Sequence, residues 1–240
     1  MIKKITYGAS LALAFFSYCH AEESPATTAS AAEENQDLAM VRRLKNMDYP
    51  SLESFINLNS YKNHAVISVA IGDLNDDQIP DYAVTIGPED RAKTTILMST
   101  PNKSWRVFDE STASNLSELT IKTNITDKHL HVNIEPIKGG QIEYLFAASK
   151  TQMALTNIIA TYADGGVDDE PLVVTHTYFN SITGELLYNR TNGHKAPLVK
   201  EHVKNPECYF HDFNFDLYFC ASNKTTTKGH KLDNIMNPLP

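Results

Sequence analysis

Residues 71–86 read IGDLNDDQIPDYAVTI, and this stretch decides how the surrounding chain is interpreted. It offers side-chain oxygens at loop positions 1, 3, 5 and 9 and a backbone carbonyl at position 7, from Asp73, Asn75, Asp77, Asp81 and Ile79. Ca²⁺ takes about 6–8 oxygen ligands, and it favours short carboxylate and amide side chains at alternate positions of a curled loop. The spacing therefore predicts a calcium site formed by these residues.

The residues on both sides of this loop predict strands rather than helices. AVISVAIG precedes the loop and YAVTI follows it, and both runs are short and rich in β-branched residues. A helix-loop-helix calcium site would need a bidentate Glu at position 12, where this chain has Val84. The ion is therefore expected between two strands. The alternative interpretation is an acidic, Asx-rich turn that binds no ion.

The pattern Asp-x-Asn-x-Asp-x-x-Pro-Asp between strands resembles the calcium loop of FG-GAP and VCBS-type repeats, which occur in integrin-like β-propellers and in exported bacterial proteins. The likeness covers residues 64–110, where YAVTI, TTILM, TPNKS and WRVFD follow in the order of the strands and turn of such a repeat. The resemblance implies that calcium fastens a β-turn and that partners bind elsewhere on the sheet. One departure is Gln78, because the family usually has Gly at this left-handed position and another residue costs about 1–2 kcal/mol.

The N-terminal residues 1–21 have the composition of a secretory signal peptide. Two lysines are followed by a short apolar core and then by Cys19-His20-Ala21, which has small residues at the cleavage-specifying positions. We therefore expect a periplasmic or secreted protein. Lipidation of Cys19 is disfavoured, because Tyr18 stands where a lipoprotein signal has a small residue. No later run approaches about 18 apolar residues, so no membrane span is expected.

The residues that follow the signal predict a tether and then a β-rich domain. Residues 22–36 are small, polar and acidic, which is typical of a disordered segment. Short helices are predicted at 37–45 and 50–56 from the spacing of apolar residues. Alternating patterns bounded by turn residues predict strands at 65–71, 82–86, 94–99, 105–108, 118–123, 129–135, 142–148, 154–162, 172–179, 185–188, 198–203 and 209–219.

Closely spaced strands without intervening helices predict an all-β fold that is mainly antiparallel, with short N-terminal helices. The arrangement is expected to be an irregular propeller-like or sandwich fold. Only one copy of the calcium loop occurs, whereas a closed propeller needs about four or more blades. We therefore predict a single β-rich domain over residues 37–240 with one repeat at 64–110.

Charge and cysteine content limit the possible partners and the compartment. Without the two lysines of the signal, 19 of the 21 Lys and Arg side chains remain against 29 Asp and Glu, which argues against nucleic-acid binding. Cys208 and Cys220 remain as a pair, and export favours a disulfide between them. Zinc is the alternative, but two thiolates lack the further ligands of a structural site. Aromatic residues between the cysteines do not fit one face of a strand, so the chain should turn near residues 211–214.

The sequence contains no catalytic motif such as G-x-S-x-G, H-E-x-x-H or a phosphate-binding glycine loop. His129 and His131 share one face of a predicted strand, and a solvated face is the favoured interpretation. The chain is therefore interpreted as an exported, calcium-stabilised β-domain that acts as a non-enzymatic binding module for a protein or glycan partner, as inhibitors and immunity proteins do. The alternative is a periplasmic hydrolase whose active site is assembled from loops.

Overall fold

The computed structural model describes residues 46–59, 64–88, 91–115, 119–136, 140–164, 172–192, 194 and 196–236. The predicted signal peptide (1–21), tether (22–36) and first helix (37–45) lie outside these residues, so they stay predictions. Within the described ranges most of the chain is in strands. No helix found there is long and apolar enough to cross a membrane.

The first sheet is formed by six strands: β1 (Asp48–Tyr49), β2 (Ala65–Gly72), β3 (Asp81–Gly87), β4 (Arg91–Ser99), β5 (Trp105–Glu110) and β6 (Ser114–Asn115). Its order is β1-β5-β4-β3-β2, with β6 paired to β4, and every pair is antiparallel. Helix α1 (Leu52–Asn59) lies between β1 and β2 in the chain and confirms the helix predicted at 50–56. The hydroxyl of Ser51 accepts the N–H of Ser54 at 3.1 Å and caps its start.

The second sheet contains seven strands in an antiparallel meander: β7 (Leu119–Thr126), β8 (His129–Pro136), β9 (Gly140–Ala148), β10 (Met153–Asp164), β11 (Val173–Asn180), β12 (Glu185–Thr191) and β13 (Val199–His202). Each strand pairs with its neighbours in the sequence, so the order runs from β13 to β7. The strands predicted from 65–71 to 198–203 are present, with ends that differ by three residues or fewer. Antiparallel strands that are consecutive in the chain are commonly joined by hairpin turns.

The two sheets are open and pack as a sandwich, which confirms the predicted all-β, mainly antiparallel class. The main core lies between them, where Ala83 and Ile96 of the first sheet join Leu130 and Phe146 of the second. A smaller core lies on the opposite face of the first sheet, where α1 packs Phe55 onto the strands. The first sheet is therefore covered on both faces over part of its width.

The sheets approach each other most closely where β2 meets β7. A Cβ on Gly72 would lie 2.5 Å from Cγ2 of Ile125, so only glycine fits at the end of β2. Along the same junction the hydroxyls of Ser68 and Thr123 are 2.5 Å apart. This close approach fixes the position of the loop that begins directly after Gly72.

The prediction of a strand at 209–219 is wrong. This segment contains a 3₁₀ turn (Phe210–Asp212) followed by further turns, and we call residues 208–220 the aromatic loop. Phe210, Phe213, Phe215 and Phe219 are all buried in the main core, which the two-residue period of a strand would prevent. The predicted disulfide is confirmed, with the Cα atoms of Cys208 and Cys220 5.9 Å apart. The chain ends its described part in the short helix α2 (Leu232–Met236).

Candidate metal site

The acidic loop, residues 73–81, joins β2 to β3 at the end of the first sheet. Its backbone is left-handed at Asp76 (φ 67°) and at Gln78 (φ 64°). Gln78 therefore adopts the conformation for which the resembling repeats use Gly. The strain is about 1–2 kcal/mol, and other contacts within the loop must offset it.

Asp73, at loop position 1, supplies those contacts. Its Oδ1 accepts the backbone N–H of Asp76 at 2.6 Å, and its Oδ2 accepts the N–H of Gln78 at 2.8 Å. Further N–H groups, from Asn75 and Asp77, approach Oδ1 at 3.2 and 3.3 Å. One short carboxylate thus gathers successive backbone donors and holds the loop in a curl.

Asp77, at position 5, links the loop to β4. Its Oδ2 accepts hydrogen bonds from Ser99 Oγ at 2.7 Å and from Asn75 Nδ2 at 3.1 Å, while its Oδ1 accepts the N–H of Ile79 at 2.8 Å. Desolvation works against ionisation of Asp77, but these hydrogen bonds outweigh it and lower its pKa below the ordinary value. The Asp77 carboxylate is therefore ionised, and it lies on the exposed side of the loop as a possible metal ligand.

Asp81, at position 9, is fully buried. Its Oδ2 accepts the N–H of Leu74 and its Oδ1 accepts the N–H of Ser99, both at 2.8 Å. Burial raises the pKa of Asp81 by desolvation, and the two hydrogen bonds oppose this shift only in part. The carboxylate thus joins the start of the loop to the end of β4.

The structure brings the predicted ligands into one loop, but it does not place three acidic side chains in metal-binding proximity. Within the described ranges, no group of three or more His, Cys, Asp or Glu side chains is positioned to hold an ion. The donor chemistry does fit calcium, because every predicted ligand atom is oxygen and Asp77 is ionised. Asp73 Oδ2 and Asp77 Oδ1 each accept one N–H, so these two oxygens keep a lone pair for a cation. Ca²⁺ therefore remains compatible with the loop that Asp73 has already curled.

Sequence reasoning missed three residues that support the loop. Ser99 donates its hydroxyl to Asp77 and its backbone N–H to Asp81. Trp105 Nε1 donates to the carbonyl of Pro80 at 2.8 Å. Lys128 Nζ pairs with Asp76 Oδ2 at 2.7 Å, and both side chains are exposed, so this pair contributes about 0–1 kcal/mol. Ser99 could have been found from the hairpin register of β3 and β4, whereas Lys128 lies in the turn between β7 and β8 and left no signal.

A groove of about 550 Å³ borders the acidic loop. It contains His129, Ser149 and two carboxylates, which are the residue types of a hydrolytic site. His129 Nδ1, however, is 2.8 Å from the carbonyl of Asp127, and Ser149 Oγ donates to the carbonyl of Gln152 at 2.7 Å. These groups serve the local turns, so the groove does not present an activated nucleophile.

A row of exposed apolar side chains precedes the acidic loop on β2. We define the β2 strip as Val66, Ile67, Val69 and Ile71, which are 37–58% exposed. Val69 lies opposite Val84, and Ile71 lies opposite Tyr82, so the strip extends the face that α1 covers. Each of these side chains keeps more than a third of its surface exposed.

The strands that follow the acidic loop are neighbours in the first sheet. β3, β4 and β5 follow the loop as an antiparallel meander, with the turn at residues 100–104 between β4 and β5. The assignment to FG-GAP or VCBS-type repeats itself stays a prediction. No family model, curated protein or solved structure matches this chain.

Proposed function

We propose that this chain is an exported, calcium-stabilised β-domain that acts as a non-enzymatic binding module for a protein partner. The observation that carries the proposal is the β2 strip, which holds four of the ten large apolar side chains exposed among the described residues. Single exposed apolar residues are normal, but a contiguous row beside a polar loop is typical of an interaction surface.

The strip has the geometry of a docking surface because it belongs to a rigid sheet. Its residues continue the face formed by Tyr82 and Val84, which pack under α1. Covering apolar area contributes about 25 cal/mol per Å², although association costs take up much of that gain. A partner that packs against both the strip and the side of α1 would bury a surface that needs little rearrangement.

Calcium supports this surface through the loop next to it. Asp73, Asn75, Asp77, Asp81 and the carbonyl of Ile79 would hold the ion, as the sequence pattern predicts. The charge it supplies offsets repulsion between carboxylates in the loop. Ile71 is separated from Asp73 by Gly72 alone, so an ordered loop keeps this end of the strip in place.

The experiment is a quantitative pull-down from periplasmic extract of the producing cell, with purified protein and two matched double variants. Val69→Lys with Ile71→Lys places charge on the strip, whereas Ile182→Lys with Leu198→Lys places the same charge on two other residues, exposed by 70% and 65%. We expect one stoichiometric partner to bind the unmodified protein and the control, and to be lost with the strip variant. Equal capture by both variants, or self-association of the purified protein through the strip, would contradict the proposal.

A further inference from the structure

The outer face of the second sheet differs in character from the β2 strip. Its centre is a row of three side chains on neighbouring strands, in which Ile159 lies opposite Tyr178 and Tyr178 lies opposite Leu187. Neighbouring strands are about 4.8 Å apart, so this row is about 10 Å long. Tyr178 is 36% exposed and Ile159 is 40% exposed. The face therefore presents an aromatic ring flanked by aliphatic groups.

The ring of Tyr178 is held in place on this face. Asn157 Nδ2 donates a hydrogen bond to the Tyr178 hydroxyl at 2.7 Å. The aliphatic neighbours on both sides restrict the ring further. Because the ring is already ordered, a ligand that stacks on it loses little entropy from this side chain on binding.

Charged side chains on the same face are engaged by neighbours. Lys122 pairs with Glu135 at 2.8 Å, and Lys200 pairs with Glu185 near the other edge of the sheet. His131 Nδ1 lies 2.8 Å from Glu143 and gives that carboxylate a polar partner. None of these groups offers an unengaged charge, so they do not favour a strongly charged partner.

Polar groups surround the row. Thr161 Oγ1 and His176 Nδ1 are 3.1 Å apart, and this contact is exposed on the outer face. The Thr161 hydroxyl and the His176 ring are therefore positioned to exchange hydrogen bonds with the hydroxyls of a ligand.

We propose that this face is a second binding site, and that its ligand is a neutral saccharide chain. Sugar rings present a C–H face that packs on an exposed aromatic ring, and hydroxyls that bond to amide, hydroxyl and imidazole groups. A partner that binds through charge would find the charges of this face already engaged by neighbours. The site is separate from the β2 strip and does not depend on the function proposed for it.

The test uses four neutral probes: cellohexaose, maltohexaose, chitohexaose and mannohexaose. Each is titrated into the ¹⁵N-labelled protein, and backbone amide shifts are mapped by nuclear magnetic resonance. We expect at least one probe to bind, with shifts confined to β10, β11 and β12. Polygalacturonate, an acidic polysaccharide, should bind at least tenfold more weakly.

Variants identify the ring as the binding element. Tyr178→Ala should weaken binding at least tenfold, whereas Tyr178→Phe keeps the ring and should stay within about threefold of the unmodified protein. Ile182→Ala, an exposed apolar residue at the β11–β12 turn, should not change the affinity. Thermal melts show whether each variant is folded, and the map of amide shifts keeps the test decisive if Tyr178→Ala is not. The proposal is overturned if no neutral probe binds, if the shifts map to another surface, or if a folded Tyr178→Ala protein binds as tightly as the unmodified one.

Discussion

The acidic loop and the aromatic loop are both irregular segments, but different forces hold them. In the acidic loop, the side chains of Asp73, Asp77 and Asp81 accept hydrogen bonds from backbone and hydroxyl donors. In the aromatic loop, four phenylalanines enter the main core and a disulfide closes the ends. The first loop is organised by charge and the second by burial.

This difference determines which loop can respond to its surroundings. Apolar burial depends weakly on ions and on pH, so the aromatic loop is a permanent part of the core. Carboxylates change their charge with protonation and their energy with a bound cation. A response to calcium should therefore arise at the acidic loop, and mutations in the aromatic loop should affect stability under all conditions.

The largest effect should come from Phe213→Ala. Phe213 is fully buried and packs on Tyr144, Phe146 and Phe219, with ring centroids 5.0–5.3 Å apart. Removing the ring leaves a cavity, which costs about 3–5 kcal/mol. Urea unfolding should show this loss equally in calcium and in chelator. Ile182→Ala, at an exposed site, should change the unfolding free energy by less than about 0.5 kcal/mol.

The next largest effect should follow from opening the disulfide. Cys208 and Cys220 are separated by 12 residues, and the loop-entropy model gives about 3 kcal/mol for a bridge of this length. Reduction of the unmodified protein and the double variant Cys208→Ser, Cys220→Ser should lose the same stability in urea unfolding. Labelling of free thiols in the unreduced, unfolded protein is the control. Two reactive thiols in that sample would show that no bridge forms.

Calcium should stabilise the protein by a slightly smaller amount. At free calcium one hundred times the dissociation constant, binding to the folded state alone contributes about 2.7 kcal/mol. The melting temperature of the unmodified protein should therefore rise in calcium relative to chelator at equal ionic strength. Asp77→Ala should abolish the shift, whereas Asp76→Asn removes a charge from the same loop but not a predicted ligand, and should keep it.

The outcome also decides between the two interpretations of the loop. If the melting curves of the unmodified protein coincide in calcium and chelator, the acidic loop is a turn closed by its own hydrogen bonds. The network around Asp73 would then be sufficient to hold the strained Gln78. In that case the two loops would differ only in the polarity of the contacts that hold them, and neither would respond to calcium.

The sequence predicted the acidic loop better than the aromatic loop, and the reason is the range of the interactions. The alternating β-branched residues before and after Asp73 are a local signal, whereas the left-handed backbone at Gln78 was expected only from the resemblance to the calcium-loop repeats. The aromatic loop also has high β propensity, which led to the wrong strand at 209–219. The positions of its aromatic residues did predict a turn near residues 211–214, which agrees with the 3₁₀ turn at Phe210–Asp212. Its packing against Tyr144 and Phe146 joins residues far apart in the sequence, and such contacts leave no local pattern.

The same reason explains what was missed around the candidate site. The pairing of Ser99 with Asp77 spans 22 residues, and Lys128 reaches Asp76 from the turn between β7 and β8. The place of the loop between two strands was therefore predictable, but the hydrogen-bond partners of its carboxylates were not. The β2 strip was also not anticipated, because AVISVAIG reads as a buried strand until the edge position of β2 is known.

The contrast between the two loops has one exception, a charged contact in the chain that follows the aromatic loop. Glu201 on β13 has a side chain that is 1% exposed, and it accepts hydrogen bonds from His230 at 3.0 Å and from Tyr188 at 3.2 Å. These bonds tie the chain that follows the aromatic loop to the edge of the second sheet. Burial acts to raise the pKa of Glu201, but hydrogen bonds from Thr226 and His230 and the charge of His230 outweigh it, so the pKa is lowered.

The smallest effect we predict is the contribution of this contact to acid stability. Because the pKa of Glu201 is lower in the folded state, its contribution is present above the ordinary value of 4.5 and is lost as the pH falls through the folded value. Glu201→Gln should cost about 2 kcal/mol at neutral pH and much less in acid. Urea unfolding between about pH 3 and 7 measures the unfolding free energy of both proteins at each pH. Glu185→Gln, in an exposed pair with Lys200, should change that free energy by less than about 1 kcal/mol. If the unfolding free energies of Glu201→Gln and the unmodified protein change with pH in parallel, Glu201 does not contribute to acid stability. The stability of the region around the aromatic loop would then be independent of charge, which would strengthen the contrast with the acidic loop.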